Sequence, residues 1–174
     1  MAYIDLPLDE LRRYDAGSTA PADFDEFWRD TLAEQERWPV AATFTRVDVD
    51  LYSLVEVYDV TFAGYGGEPV RGWLLLPAGG DGPLPCLVSY VGYGGGRSFA
   101  SDHLAPAAAG LAHFVMDTRG QGAAWAVGHT ADPHGSDSQH PGFMTKGITR
   151  RETYYYRRVF VDGVRAGAAA ASYP

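Results

Sequence analysis

Between residues 24 and 32 apolar side chains return at helical spacing, with Phe24, Phe27, Trp28 and Leu32 forming one stripe. Thr19 and Pro21 stand before it as start signals, Asp23, Asp25 and Glu26 occupy the turns where a helix dipole favours acids, and Pro39 closes it. The pattern predicts an amphipathic helix whose aromatics pack inward. Upstream, residues 4–11 form a short apolar and acidic segment of one or two helical turns, so residues 1–40 read as an N-terminal helical extension. The period then shortens. Residues 43–49 alternate weakly, residues 55–62 are rich in β-formers, residues 64–67 make a glycine turn, and residues 70–76 return as a strand closed by Pro77. Together they predict an antiparallel meander. After a surface loop at residues 79–83, residues 84–91 are almost continuously apolar, the pattern of a strand buried on both faces of a parallel sheet.

From there the pattern becomes strand–helix–strand. A glycine-rich loop, Gly92-Tyr93-Gly94-Gly95-Gly96, precedes a short alanine-rich helix over residues 103–110, broken or started by Pro106. Residues 112–116 form a second short buried strand ending in Asp117-Thr118-Arg119-Gly120-Gln121-Gly122. Residues 123–148 have no clean period and exceed ordinary loop lengths, which marks a functional or interface segment. Residues 152–171 resume helical spacing, with Tyr155, Val159, Phe160 and Val164 on one side and an alanine run at 168–171 suited to close packing on a sheet. No internal repeat or linker divides the chain, so residues 1–174 read as a single α/β domain.

Composition narrows the classes. Of the 174 residues, 46% are hydrophobic and 21% charged, which is globular rather than disordered. No apolar run reaches the ~20 residues of a membrane helix, and the first 13 residues hold acids and Pro7 where a signal peptide needs an apolar core. A formal charge of −8 argues against nucleic acid as a partner. Cys86 stands alone and cannot form an internal disulfide, which fits a reducing, cytoplasmic setting. The charge is uneven: residues 1–60 carry 14 acids against five arginines, and residues 145–165 carry six bases against two acids. Such patches are either separate solvated faces or surfaces that dock, within one chain or between subunits.

Three chemistries are open to test. The loop Gly92–Gly96 lies between a buried strand and a helix, where glycines let backbone N–H groups approach an anion. Arg97 breaks a Gly-x-Gly-x-x-Gly pattern and no Gly-Lys-Ser/Thr follows, so an oxyanion-hole loop fits better than a phosphate loop, with a plain tight turn as the alternative. No serine sits in Gly-x-Ser-x-Gly. The nearest, Ser98, is followed by Phe99-Ala100 and does not leave a strand directly, so it is not expected to be a nucleophile. Cys86, inside an apolar strand, reads as a buried inert thiol. His129, His134 and His140 share one loop with Asp132 and Asp137 at spacings that suit no metal motif, and Asp102 and Asp117 have no paired-carboxylate spacing.

Tyr93, the run Asp117–Gly122 and Pro141-Gly142-Phe143-Met144-Thr145 resemble the acetyl xylan esterase / cephalosporin C deacetylase family, carbohydrate esterase family seven. Further matches are Asp5-Leu6-Pro7-Leu8, Phe24-Asp25-Glu26-Phe27-Trp28, Tyr58-Asp59-Val60-Thr61-Phe62 and Tyr154-Tyr155-Tyr156-Arg157-Arg158-Val159-Phe160, in order along essentially the whole chain. The resemblance implies an α/β-hydrolase fold, here its N-terminal portion with an antiparallel start and then a parallel βαβ unit. It also implies serine esterases, without cofactor or metal, that remove acetyl groups from short xylo-oligosaccharides and cephalosporins, usually as cytoplasmic hexamers. Tyr93 matches the position whose backbone N–H is one oxyanion-hole donor, with Gly92 and Gly94 beside it at the substrate. Arg119, Gly120 and Gln121 match the Arg-Gly-Gln motif that supports the site, the arginine bracing the nucleophile turn. Residues 123–148 match an insertion that contributes to subunit contacts.

The family's Gly-x-Ser-Gln-Gly nucleophile, aspartate and histidine have no counterpart among these residues. The expectation is therefore a chain of half the family length, inactive alone, that supplies an oxyanion loop and pocket wall to a missing C-terminal half. Its third hydrolase strand, residues 84–91, is then expected to lie at an open edge. The alternative is a non-catalytic remnant or the partner-binding half of a split enzyme.

Overall fold

The computed structural model describes residues 5–47, 51–80, 82–134 and 141–174. Among these residues five strands form one sheet: β1 (Thr43–Arg46), β2 (Val55–Ala63), β3 (Pro69–Pro77), β4 (Cys86–Tyr90) and β5 (Ala112–Met116), in the order β1-β2-β3-β5-β4. β1, β2, β3 and β5 pair antiparallel in turn, whereas β4 and β5 are parallel. That is the predicted meander followed by a βαβ crossover, and the α/β-hydrolase class stands.

The sheet is the middle of three layers. Even-numbered positions Val60, Phe62, Leu74, Phe114 and Met116 point to one face, against Ala166 and Ala169. Odd-numbered Val55, Val57, Leu75 and Val115 point to the other, against Ala100 and Ala107. The first face is covered by α4 (Tyr155–Ala171), whose alanines allow the close approach, and the second by a 3₁₀ turn (Ala100–His103) running into α3 (Leu104–Ala108). Before them in the chain come α1 (Leu8–Leu11) and α2 (Phe24–Gln35).

Three expectations about burial are corrected. The strand buried at every position is β5, while β4 lies at the end of the sheet with Cys86, Leu87 and Tyr90 exposed. An apolar run reports how hydrophobic a strand is but not which neighbours reach it, and among the described residues β4 pairs on one side only. Cys86 is accordingly exposed, not buried, although partial desolvation still raises its thiol pKa. On α4 the buried face is Tyr155, Arg158, Val161, Asp162, Arg165, Ala166 and Ala169. Of the expected stripe only Tyr155 is buried; Phe160 and Val164 are exposed and Val159 is half-buried beside β4.

On α2 the expected stripe is only partly inward, with Phe27, Trp28 and Leu32 half-buried and Phe24 exposed, and the buried residues are Thr31 and Gln35. Both are buried because arginines and backbone of distant elements need them. Arg157 Nε donates to Thr31 Oγ1 at 3.1 Å, and Gln35 Oε1 accepts the Gly66 N–H at 2.7 Å. The opposed charge patches meet here within one chain: Arg151 pairs with Asp23 at 2.5 Å and Arg157 with Glu34 at 3.0 Å. Among the described residues no helix is long and apolar enough to cross a membrane.

Candidate active site

The carboxyl ends of β4 and β5 lead into the Gly92–Gly96 loop and the Asp117–Gly122 segment, which puts both motifs on one edge of the sheet. Asp117 knots them together. Its fully buried carboxylate accepts the Arg97 N–H at 2.7 Å, the His129 N–H at 2.6 Å and the Thr130 hydroxyl at 2.9 Å. Arg97 is itself buried, donating to Asp59 at 2.7 Å and to the Gly72 carbonyl at 2.6 Å, with its guanidinium 4.0 Å over the Trp73 ring. The loop can lie this close to its neighbours because it lacks side chains: a Cβ at Gly96 would stand 2.1 Å from Gly128 Cα. Asp117 is thus a structural carboxylate, and Asp102 is occupied with Ser98.

Tyr93 and Gln121 border an apolar cleft of about 540 Å³, lined also by Tyr90, Val91, Thr118 and Phe160. The Tyr93 hydroxyl donates to the Pro141 carbonyl and accepts the Phe143 N–H at 3.3 Å, tying the glycine loop to the 3₁₀ turn Gly142–Thr145. Gly92 is exposed beside it and Gly94 is buried, its N–H donating to Gln121 Oε1 at 2.5 Å. Gln121 Nε2 donates to the Tyr155 hydroxyl at 2.9 Å, which donates to the Arg119 carbonyl at 2.5 Å.

Arg119 lies behind the cleft, fully buried, and all its donors go to acids. Nε and Nη2 form a fork on Asp162 at 2.5 and 2.9 Å, and Nη1 reaches Glu68 at 2.7 Å and Asp132 at 3.4 Å. Asp132 in turn holds Lys146 at 2.8 Å and Arg158 at 2.9 Å. Burial alone would lower the Arg119 pKa, but hydrogen bonds and charge from Asp162 and Glu68 raise it above its ordinary value. Burial pushes the Asp162 carboxyl up, against the pull of the Arg119 guanidinium. Gly120 belongs to this cluster: its φ of +68° is the left-handed region, and a Cβ there would stand 2.9 Å from the Asp132 Cβ. Both facts require glycine between Arg119 and Gln121.

Asp132 carries a pH dependence. Burial would raise its pKa, yet the hydrogen bonds from Arg158 and Lys146 outweigh it and lower it to about 2. A depressed pKa stabilises the fold above the unfolded value, and that contribution, about 2 kcal/mol, is lost as pH falls from about 5 toward 2. Followed by carboxyl-carbon NMR, Asp132 is expected to titrate near 2. A midpoint at or above the ordinary carboxylate value would show that the two cations do not hold it.

The other candidates separate. Ser98, at φ +52°, donates to Asp102 at 2.5 Å, and His103 Nε2 is taken up by the Arg97 carbonyl at 2.8 Å. Ser89 Oγ lies 2.8 Å from His113 Nε2, whose Nδ1 is 2.9 Å from the His103 carbonyl. A carbonyl only accepts, so Nδ1 carries the proton and Ser89 donates; this pair sits on the α3 face of the sheet and lines no part of the cleft. His129 is held by Asp117 and His134 stands 2.7 Å from Glu68, while His140 and Asp137 lie outside the described residues. Among the described residues no three metal-binding side chains converge.

Sequence reasoning missed Trp125 and Asp162, and it gave Tyr155 only as a packing residue and Asp132 only as a loop residue beside histidines. Trp125 and Asp132 lie in the segment 123–148, which has no periodicity to place them, and Tyr155 and Asp162 were hidden among helix positions. Far from hanging free, residues 128–132 are built into the site through Asp117 and Arg119.

The chain is matched over residues 1–174 by the family model described as acetyl xylan esterase (AXE1). Among solved structures it is similar to the acetyl xylan esterase of Paenibacillus sp. R4, at 36% identity and a TM-score of 0.84, covering 97% of this chain and 52% of that one. It is also similar to acetyl xylan esterase 1 of Thermoanaerobacterium sp. JW/SL YS485, at 27% identity and a TM-score of 0.82, covering 98% and 52%. The chain spans about half the length of these structures, and it belongs to the acetyl xylan esterase family.

Proposed function

We propose that this chain is the N-terminal half of a serine esterase that removes acetyl groups from short xylo-oligosaccharides and cephalosporins. The Tyr93 backbone N–H donates to the oxyanion formed when a serine outside these residues attacks the acetyl carbonyl; Gly92 and Gly94 shape the approach, and Arg119, Gly120 and Gln121 hold the floor. The supporting observation is the position of the apolar cleft. It lies between Tyr93, Gln121 and α4, beside the open edge of β4, where further strand and helix would close it and bring a nucleophile. The chemistry uses no cofactor and no metal.

The assembly proposed is a cytoplasmic homohexamer, for which the exposed Trp125, Val127, Met144 and Ile148 of the 123–148 segment offer apolar contact surface. The open β4 edge also favours a second reading, a partner-binding half that receives the triad from another chain. Purified residues 1–174 are expected to hydrolyse p-nitrophenyl acetate no faster than background and to take no fluorophosphonate label. The full-length protein is expected to release acetate from acetylated xylo-oligosaccharide and to lose that activity on labelling. Label on Ser98 or Ser89 of the 174-residue chain, with turnover, would overturn the assignment.

A further inference from the structure

The peptide bond between Tyr93 and Gly94 is gripped on both of its polar groups by side chains. Its carbonyl accepts from the Trp125 indole N–H at 2.8 Å, and its N–H donates to Gln121 Oε1 at 2.5 Å. Gly94 sits at φ +83°, a region glycine enters and leaves at little cost, so the loop alone would not fix the plane of this peptide. The grip has to come from outside it.

Each side of the grip is itself oriented. The Tyr155 hydroxyl has one proton, which goes to the Arg119 carbonyl, so toward Gln121 it can only accept. That sets the Gln121 amide with nitrogen toward Tyr155 and oxygen toward Gly94; the flipped amide would place N–H groups face to face at Gly94. Tyr155 is fully buried. On the other side, the indole reaches the Tyr93 carbonyl because Gly95 has no side chain: a Cβ there would stand 2.3 Å from the ring. Trp125 is 65% exposed in this chain, so within it the indole is held by the hydrogen bond to the loop rather than by burial.

We infer that Trp125 and Tyr155 are positioning residues, holding the Tyr93–Gly94 peptide from opposite sides so that the adjoining Tyr93 N–H is preorganised for a developing oxyanion. The inference rests on the reading of Tyr93 as an oxyanion donor. Neither residue touches the reacting atoms. Their contribution is orientation, which matters because donors in a dry site act at full strength only if they need not reorganise.

The test uses the full-length enzyme with Trp125→Phe and Tyr155→Phe, each of which keeps a ring and removes one polar atom. Trp125→Phe changes an exposed side chain, so it remains informative should the buried Tyr155→Phe fail to fold. Both are expected to lower kcat on p-nitrophenyl acetate about tenfold or more, on the scale set by loss of alignment, with KM changed less than about twofold. Amide hydrogen exchange across residues 92–96 is expected to accelerate while β3 stays protected. Unchanged exchange at residues 92–96 in Trp125→Phe would overturn the clamp. Faster exchange with unchanged kcat would overturn its catalytic role, and a Tyr93→Pro variant then locates the fault. If Tyr93→Pro is impaired, the clamp inference fails; if it folds and is fully active, the oxyanion reading fails.

Discussion

Arg119→Met should destabilise the fold by about 3–5 kcal/mol, the cost of breaking a buried ion pair and leaving its partner uncompensated. Arg119 is the only described cation in direct contact with Asp162, with Arg165 acting on it only at longer range, so methionine leaves that carboxylate with the Tyr65 N–H at 2.8 Å as its remaining contact on the β2–β3 turn. Glu68 and Asp132 lose a contact at the same time. Against a total stability of about 5–15 kcal/mol such a change unfolds a marginal domain. Urea denaturation of the full-length protein measures it. Arg119→Lys keeps a charge but cannot reproduce the fork on Asp162, and is expected to fall between the wild type and Arg119→Met. Adding Asp162→Leu to Arg119→Met should recover part of the loss, since two apolar groups leave no orphaned charge between them. A loss below about 1 kcal/mol in Arg119→Met would show that the cluster is solvated in solution and contributes no more than a surface pair.

Tyr93→Pro removes one backbone N–H and is expected to lower kcat of the full-length esterase by about 10²–10³, the usual effect of losing one oxyanion donor. Proline also restricts φ, so circular dichroism and the melting temperature must first match the wild type. Tyr93→Phe keeps the N–H. From sequence it would be neutral, but the hydroxyl joins the glycine loop to Pro141 and Phe143, so a stability loss of about 1 kcal/mol is expected with kcat little changed. A folded Tyr93→Pro with full kcat would reduce the glycine loop to a turn.

Local periodicity carried the strands well. β5 occupies the residues expected for it, and the meander and the crossover follow the predicted order, because alternation and glycine turns are properties of neighbouring residues. Burial was legible only where the partner was also local. Phe160 and Val164 read as core from their spacing, yet they face the cleft, while Arg158, Asp162 and Arg165 read as surface and are buried. What buries a charge is an opposite charge elsewhere in the chain, and nothing in the spacing of α4 names Glu68 or Asp132. The motif residues Tyr93, Gly94 and Gln121 were found by resemblance and do come together, but of the residues that lock them Trp125 lies outside any motif and Tyr155 lies in a motif that does not show what it holds.

Three arginines, one just before α4 and two on it, impose an order on biosynthesis. Arg151 holds Asp23, Arg157 holds Thr31 and Glu34, and Arg165 donates to the Gln35 carbonyl at 3.2 Å and the Trp38 carbonyl at 2.6 Å. These contacts join positions 123 to 130 residues apart. A chain leaving the ribosome at about 5–20 residues per second therefore presents Phe27 and Trp28 for many seconds before Arg151, Arg157 and Phe160, which they meet, exist. The β2–β3 hairpin can close in that interval and offer Gly66 to Gln35, but the aromatic face of α2 still lacks its partners at residues 151–160. Translation slowed between residues 40 and 150 would lengthen the exposure of that aromatic segment.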